Sequence, residues 1–143
     1  MARLDPFRGF RFIVEIEGLA SAAFARVKGL AREIKHESFR EGGVNDYEHK
    51  LVSQVSYPPL ILERGLALTN LWQWTQDVAN GEVVRRKVSI RVQNEAGVPA
   101  PGLAWHADSA FPVKWACSDF DAFSSQVLME SVELAHHGLR RDL

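Results

Sequence analysis

The chain has 143 residues, the usual size of one domain, so residues 1–143 are expected to fold as a single unit around an ordinary core. Lys plus Arg number 17 against 18 Asp plus Glu, a formal net charge of −1, which weighs against a nucleic-acid binder and a polybasic membrane anchor. The single cysteine, Cys117, excludes an intrachain disulfide and argues against a cysteine-based zinc site.

The first thirty residues lack the layout of a signal peptide, and no apolar run has the length of a membrane span. A soluble domain folded in a reducing compartment is therefore expected. One feature stands apart: 14 aromatic residues (8 Phe, 4 Trp, 2 Tyr) are many for a small domain to hide.

Phe10, Phe12, Val14 and Ile16 alternate with Arg11, Ile13, Glu15 and Glu17, the period of a half-buried strand, which Gly18 ends. Ala22 to Leu30 reads as a weaker second strand. From Ala31 to Arg40, Glu33, Lys35, Glu37 and Phe39 alternate with Ile34, His36, Ser38 and Arg40, and neither face is cleanly apolar. Such a strand suits a sheet wetted on one side or facing a partner, although a solvated edge would look the same. Glu41-Gly42-Gly43-Val44-Asn45 is a loop. Tyr47 to Val52 extends from it, Tyr57-Pro58-Pro59 forces an extended backbone, and Leu60 to Arg64 is a short apolar strand.

The spacing predicts one helix, Asn70 to Asn80. Asn70 is its N-cap, Gln73 completes a loose capping box, and Gly81 stops it. Leu71, Trp74, Thr75 and Val78 share a face, and Trp72 and Trp74 are expected in the core. Val88, Ile90 and Val92 mark another strand. Asn94 to Gly97 is a hairpin-type turn, prolonged by Val98 to Gly102. Leu103 to Ser109 and Phe111 to Trp115 follow as strands separated by a bend at Pro112. Ser118 to Ser125 is polar and loop-like, and Val127 to His136 is the last strand. Seven or eight strands around one helix predict a mainly antiparallel β-domain, a sandwich or small barrel.

No convincing catalytic or metal constellation emerges. His136 and His137 are strand neighbours, so their imidazoles diverge rather than chelate beside Glu133, and His36, His49 and His106 show no ligand spacing. Cys117 has no base or electropositive neighbour in Trp115, Ala116 or Ser118, and Glu130 and Glu133 have opposite strand parities. Gly42-Gly43 lacks the spacing of a phosphate loop. Phe111 and Trp115 suit a core. Phe120 and Phe123, in a polar loop, suit equally a core or an anchor in a partner's pocket.

Seven segments in chain order resemble a known family. Asp5 to Gly18 is similar to its N-terminal strand, Phe24 to Leu30 to its F-x-x-V-x-G-L, and Phe39 to Gly43 to its Y/F-R-E-G. Leu62 to Leu66 resembles L-K-R-G, Leu71 to Trp74 resembles L-W-x-W, and Phe111 to Trp115 resembles A-x-P-x-K-W. Glu130 to Leu139 resembles the closing E-x-x-E-L-A-H-x-G. The family is the tail tube proteins of contractile phage tails, R-type bacteriocins and extracellular contractile injection systems, a structural relative of the haemolysin-coregulated protein of type VI secretion.

The resemblance implies an antiparallel two-sheet β-sandwich or barrel with one helix, assembling as a homo-hexameric ring whose inner wall is a shared β-barrel. Rings stack into a hollow tube that a contracting sheath drives through a target envelope, with cargo in the lumen. The implied partners are other rings, sheath and baseplate proteins; no catalytic residue or cofactor is implied. The implied setting is bacterial cytoplasm during assembly, then a phage tail or a released tail-like particle.

On this resemblance, Arg40, Glu41, Gly42, Gly43, Val44, Asn45 and Tyr47 belong to a loop reaching a neighbouring subunit or ring, with Phe120 and Phe123 packing between subunits. Glu33, Lys35 and Glu37 become candidates to face the lumen. The segment from Gly43 to Val52 lacks the family's longer N-D-P-x-x-x-R-K-L-P-G stretch, so a stacked tube subunit and a baseplate-proximal tube initiator are both open. The competing class is a monomeric ligand-binding β-barrel or barrel enzyme.

Overall fold

The computed structural model describes residues 10–19, 23–39, 42, 49–66 and 70–142. Its nine strands and one helix run in the order β1 (Arg11–Ile16), β2 (Arg26–Lys28), β3 (Glu33–Phe39), β4 (His49–Ser56), β5 (Leu60–Gly65), α1 (Asn70–Ala79), β6 (Arg86–Gln93), β7 (Pro99–Cys117), β8 (Met129–Ala135) and β9 (Gly138–Asp142). Every strand pairing is antiparallel. The expected mainly β class with a single helix is what the described residues form.

β7 organises the body. Its first half pairs with β6, and through β6 with β1, on one side and with β9 on the other. Its second half pairs with β8, which continues to β5 and β2. The two segments expected as separate strands, together with Pro99 to Gly102 expected as loop, are thus one 19-residue strand. It continues through two defects rather than stopping. Ser109 takes a left-handed backbone conformation (φ 53°), and the register slips between Pro112 and Lys114. Proline, with no N–H to give to a ladder, fits at such a slip.

The core lies between these halves. Val14, Ile16, Val88, Ile90 and Ala107 come from one side, Leu60, Leu62, Val132 and Leu134 from the other, and Leu71 and Trp74 from α1. Alternation in β1 and β8 places these residues inward, as expected of half-buried strands. Helix α1 is too short to persist alone, and it docks by its Leu71 and Trp74 face. The Trp74 indole N–H donates to the Val84 carbonyl at 2.8 Å, so burial leaves no orphan donor. Gly81 ends the helix as expected: its N–H reaches Val78 O, that of Glu82 reaches Asp77 O, and φ is +92° at Gly81.

Three expectations are corrected. Trp72 is 53% exposed rather than core, because at one residue from Leu71 it turns off the docked face. Gln73 does not close a capping box; its amide donates to Asp77 Oδ1 along the helix. The last strand is not the end of the chain's sheet, because β9 follows it after His136-His137 and returns along β7.

Candidate assembly surface

The feature that the body does not absorb is the β3–β4 hairpin. Among the described residues its two strands pair with each other and make no substantial contact with any other element. Every residue of β3 is exposed, and so is all of β4 between its half-buried ends. Among the described residues no third strand pairs with either long edge, and both faces are exposed.

The register explains why the sequence showed no clean face. Lys35 pairs with Gln54 but His36 pairs with Val52, so Ser53 is an extra residue, a β-bulge. The bulge reverses the parity of β4 and brings Val52 and Val55, three residues apart, onto one face. There they lie opposite His36 and Ile34 respectively, with Ser38 and Lys50 beyond them. Val52 is 74% exposed, and Ile34 and Val55 are about half exposed. The other face carries Glu33 with Ser56, Lys35 with Gln54 and Glu37 with Leu51. At its far end Phe39 lies beside His49, ring centroids 6.4 Å apart.

Glu33, Lys35 and Glu37 therefore share one exposed face. Gly42 is an exposed turn residue. Arg40, Glu41, Gly43, Val44, Asn45 and Tyr47 lie outside the described residues. Phe120 and Phe123 are not core: Phe123 is fully exposed and Phe120 nearly so. Their loop is nonetheless built. Asp121 Oδ1 accepts the Phe123 N–H, Ser124 Oγ accepts the Gln126 N–H, and Ser118 and Met129 close the base through two hydrogen bonds. An aromatic tip on a hydrogen-bonded loop loses little conformational freedom when it docks.

Two polar clusters were not legible in the sequence. Arg64 and Glu130 are cross-strand partners on β5 and β8, both buried, with Arg64 Nε 2.5 Å from Glu130 Oε1. Trp115 Nε1 donates to the other carboxylate oxygen at 3.0 Å, and the Arg64 guanidinium lies over the Phe24 ring. The exposed Trp72 meets Trp115 edge-on at 4.9 Å. Arg64, Trp115 and Glu130 each sit in a different family-like motif, so the motifs converge on one buried ion pair.

The second cluster is Ser89 Oγ to His106 Nδ1 at 2.8 Å and His106 Nε2 to Asp142 Oδ2 at 2.9 Å. Its composition is that of a hydrolytic triad, but its geometry is structural: Ser89 sits in mid-strand with 4% exposure, leaving a substrate no approach. The cluster pins β9 to the sheet. Arg140 adds a two-pronged contact to Asp108, at 2.8 and 3.1 Å. The hydrogen bond from Arg140 holds the Asp108 carboxyl below its usual range, and that from His106 does the same for Asp142.

His136 and His137 lie in the turn between β8 and β9 rather than in a strand as expected, and they have separate partners, Gly138 O and Arg85. Among the described residues no three His, Cys, Asp or Glu side chains gather as metal ligands. No described helix is long and apolar enough to cross a membrane.

Residues 8–140 match the family of the T4-like virus tail tube protein gp19. Among solved structures, the chain is similar to one in the 6-fold symmetrised baseplate of the anti-feeding prophage (AFP). The identity is 29% and the TM-score 0.80, over 99% of this chain and 97% of that one. A chain from the sheath/tube terminator of PVC, an extracellular contractile injection system, has the same fold, with a TM-score of 0.87 at 23% identity over 99% of this chain and 100% of that one. Hcp1 from Flavobacterium johnsoniae shares the fold more distantly, with a TM-score of 0.60 at 13% identity, covering 91% of this chain and 93% of its own. No curated protein sequence matches significantly. The match over nearly the whole length, on a β-body with a free-standing hairpin, assigns the chain: it belongs to the gp19 family of tail tube proteins.

Proposed function

We propose that this chain is a non-enzymatic subunit of the inner tube of a contractile, phage-tail-like injection particle, one tail-tube-like domain over residues 1–143. Six copies form a ring, rings stack into a hollow conduit, and sheath contraction drives the conduit through a target envelope. The observation that carries this reading is the β3–β4 hairpin. A two-stranded ribbon exposed on both faces and both edges is marginal in water by itself. Closure of a ring satisfies such edges without leaving any to aggregate.

In the ring, Glu33, Lys35 and Glu37 face the lumen. The loop of Arg40, Glu41, Gly42, Gly43, Val44, Asn45 and Tyr47 contacts a neighbouring subunit or ring, and Phe120 and Phe123 pack between subunits. Sheath and baseplate proteins are the outer partners, and the lumen takes cargo. Assembly proceeds in the bacterial cytoplasm before the particle is released.

The 29% likeness to a chain of the AFP baseplate favours a second position in the same particle, the initiating ring on the baseplate. Subunit stoichiometry in intact particles separates the two: many rings, or one. Deleting Gly42 to Asn45 tests the stacking role. The deletant is expected to remain a folded protomer that grows no tubes; long tubes from it would overturn the assignment of that loop.

A further inference from the structure

Because β3 and β4 make no substantial contact with other described elements, the direction of the hairpin is set where it joins the body. Arg32 immediately precedes β3 and Tyr57 immediately follows β4, flanking the first cross-strand rung, Glu33 with Ser56. The Arg32 guanidinium lies over the Tyr57 ring, 5.8 Å from its centroid, and its Nη2 donates to the Leu139 carbonyl of β9 at 2.9 Å. Tyr57 also meets His136 in the turn between β8 and β9, ring centroids 5.4 Å apart. His136 Nδ1 donates to Gly138 O at 3.2 Å, while its Nε2 is buried with no hydrogen-bond partner among the described residues. The imidazole is therefore a packing surface for Tyr57, held in place by its own turn. Behind this point the two legs of the hairpin touch. Gly29 lies so close to the Pro59 carbonyl oxygen that no Cβ fits, and Pro58-Pro59 stiffens the exit.

We infer that Arg32, Tyr57 and His136 form a latch that fixes the angle of the β3–β4 hairpin against β9 and the turn before it, so that the free chain presents the hairpin in one preset direction. Arginine suits the position because its planar fork stacks on a ring and donates to a carbonyl at once. Leverage makes the angle matter. At about 3.3 Å per residue, the seven residues of β3 make an arm of about 23 Å, and a turn of about 10° at its root carries Phe39 about 4 Å. A preset direction lowers the ordering cost when the hairpin docks on any surface. The latch belongs to the single chain and stands whether or not six copies close a ring.

Single-molecule energy transfer at picomolar concentration, where copies are separate, tests the latch on the full-length chain. The chain carries Cys117→Ser, with dyes on Lys50→Cys in the hairpin and Glu95→Cys in the turn between β6 and β7, both exposed positions. The latch predicts one narrow distribution of transfer efficiency for this protein, and the same for Tyr57→Phe, which keeps the ring. Arg32→Met and Tyr57→Leu are each expected to widen the distribution at least about twofold by freeing the hinge, with the urea midpoint of the body little changed. A broad distribution before any substitution, or an unchanged one in both Arg32→Met and Tyr57→Leu, would overturn the latch. So would a fall in the urea midpoint that accounts for the widening, because the residues would then serve folding rather than direction. Each of these results leaves the ring reading intact.

Discussion

Arg64 and Glu130 face each other across β5 and β8 as a buried ion pair at 2.5 Å, the only Asp, Glu, Lys or Arg side chains among the buried described residues. The second oxygen of Glu130 is held by Trp115, so both sides of the carboxylate are satisfied. Breaking one member of such a pair strands the other charge. Glu130→Gln is expected to destabilise the protomer by about 3–5 kcal/mol, while the double change Arg64→Met with Glu130→Leu recovers most of the loss. Urea unfolding of the three proteins checks this, and equal losses for the single and double variants would contradict it.

The two helix tryptophans should separate cleanly. Trp74 is 1% exposed and hydrogen-bonded to Val84, so Trp74→Ala is expected to cost about 3–5 kcal/mol. Trp72 is half exposed and touches Trp115 only by an edge-on contact, a relationship of about 0.5–1.5 kcal/mol. Thermal or urea denaturation of Trp72→Ala and Trp74→Ala reads the difference.

Gly29 and Gly65 provide a backbone contrast inside two family-like motifs. At Gly29 φ is +85°, and an added Cβ would meet the Pro59 carbonyl oxygen at 2.1 Å. Gly29→Ala is therefore expected to destabilise by more than the roughly 1–2 kcal/mol of left-handed strain alone. At Gly65 a Cβ meets nothing within 4 Å, and Gly65→Ala is expected to be nearly neutral on the same denaturation measurement.

The attachment of β9 should weaken in acid. Asp108 and Asp142 are held below the usual carboxylate range by Arg140 and His106 respectively. Stability from a lowered carboxyl is fully present above its unfolded value, near pH 4, and is lost as pH falls through the lower folded value. Amide exchange of residues 138–142 is expected to show openness rising as pH falls below about 4. Asp142→Asn should remove its share of that acid dependence.

The alternating strands β1, β5, β6 and β8 and the helix were legible because their periodicity reports burial directly. β7 was not: Ser109 and Pro112 look like chain breaks, and only tertiary pairing on both sides carries one strand through them. β9 was missed because Arg140, Arg141 and Asp142 offer no apolar alternation; its contacts are ionic and backbone-mediated. Glu33, Lys35 and Glu37 were read correctly as one face by parity alone. The opposing aliphatic face was hidden because a bulge breaks parity without a sequence signal. Likewise, Ser89, His106 and Asp142 are too far apart in sequence for spacing to reveal them.

The central claim is that the working unit is a ring built by the exposed hairpin. Negative-stain electron microscopy of the purified chain tests it most directly. The account predicts hollow rings or stacked tubes with six-fold end views. A uniform field of separate protomers at concentrations where related tubes assemble would contradict it.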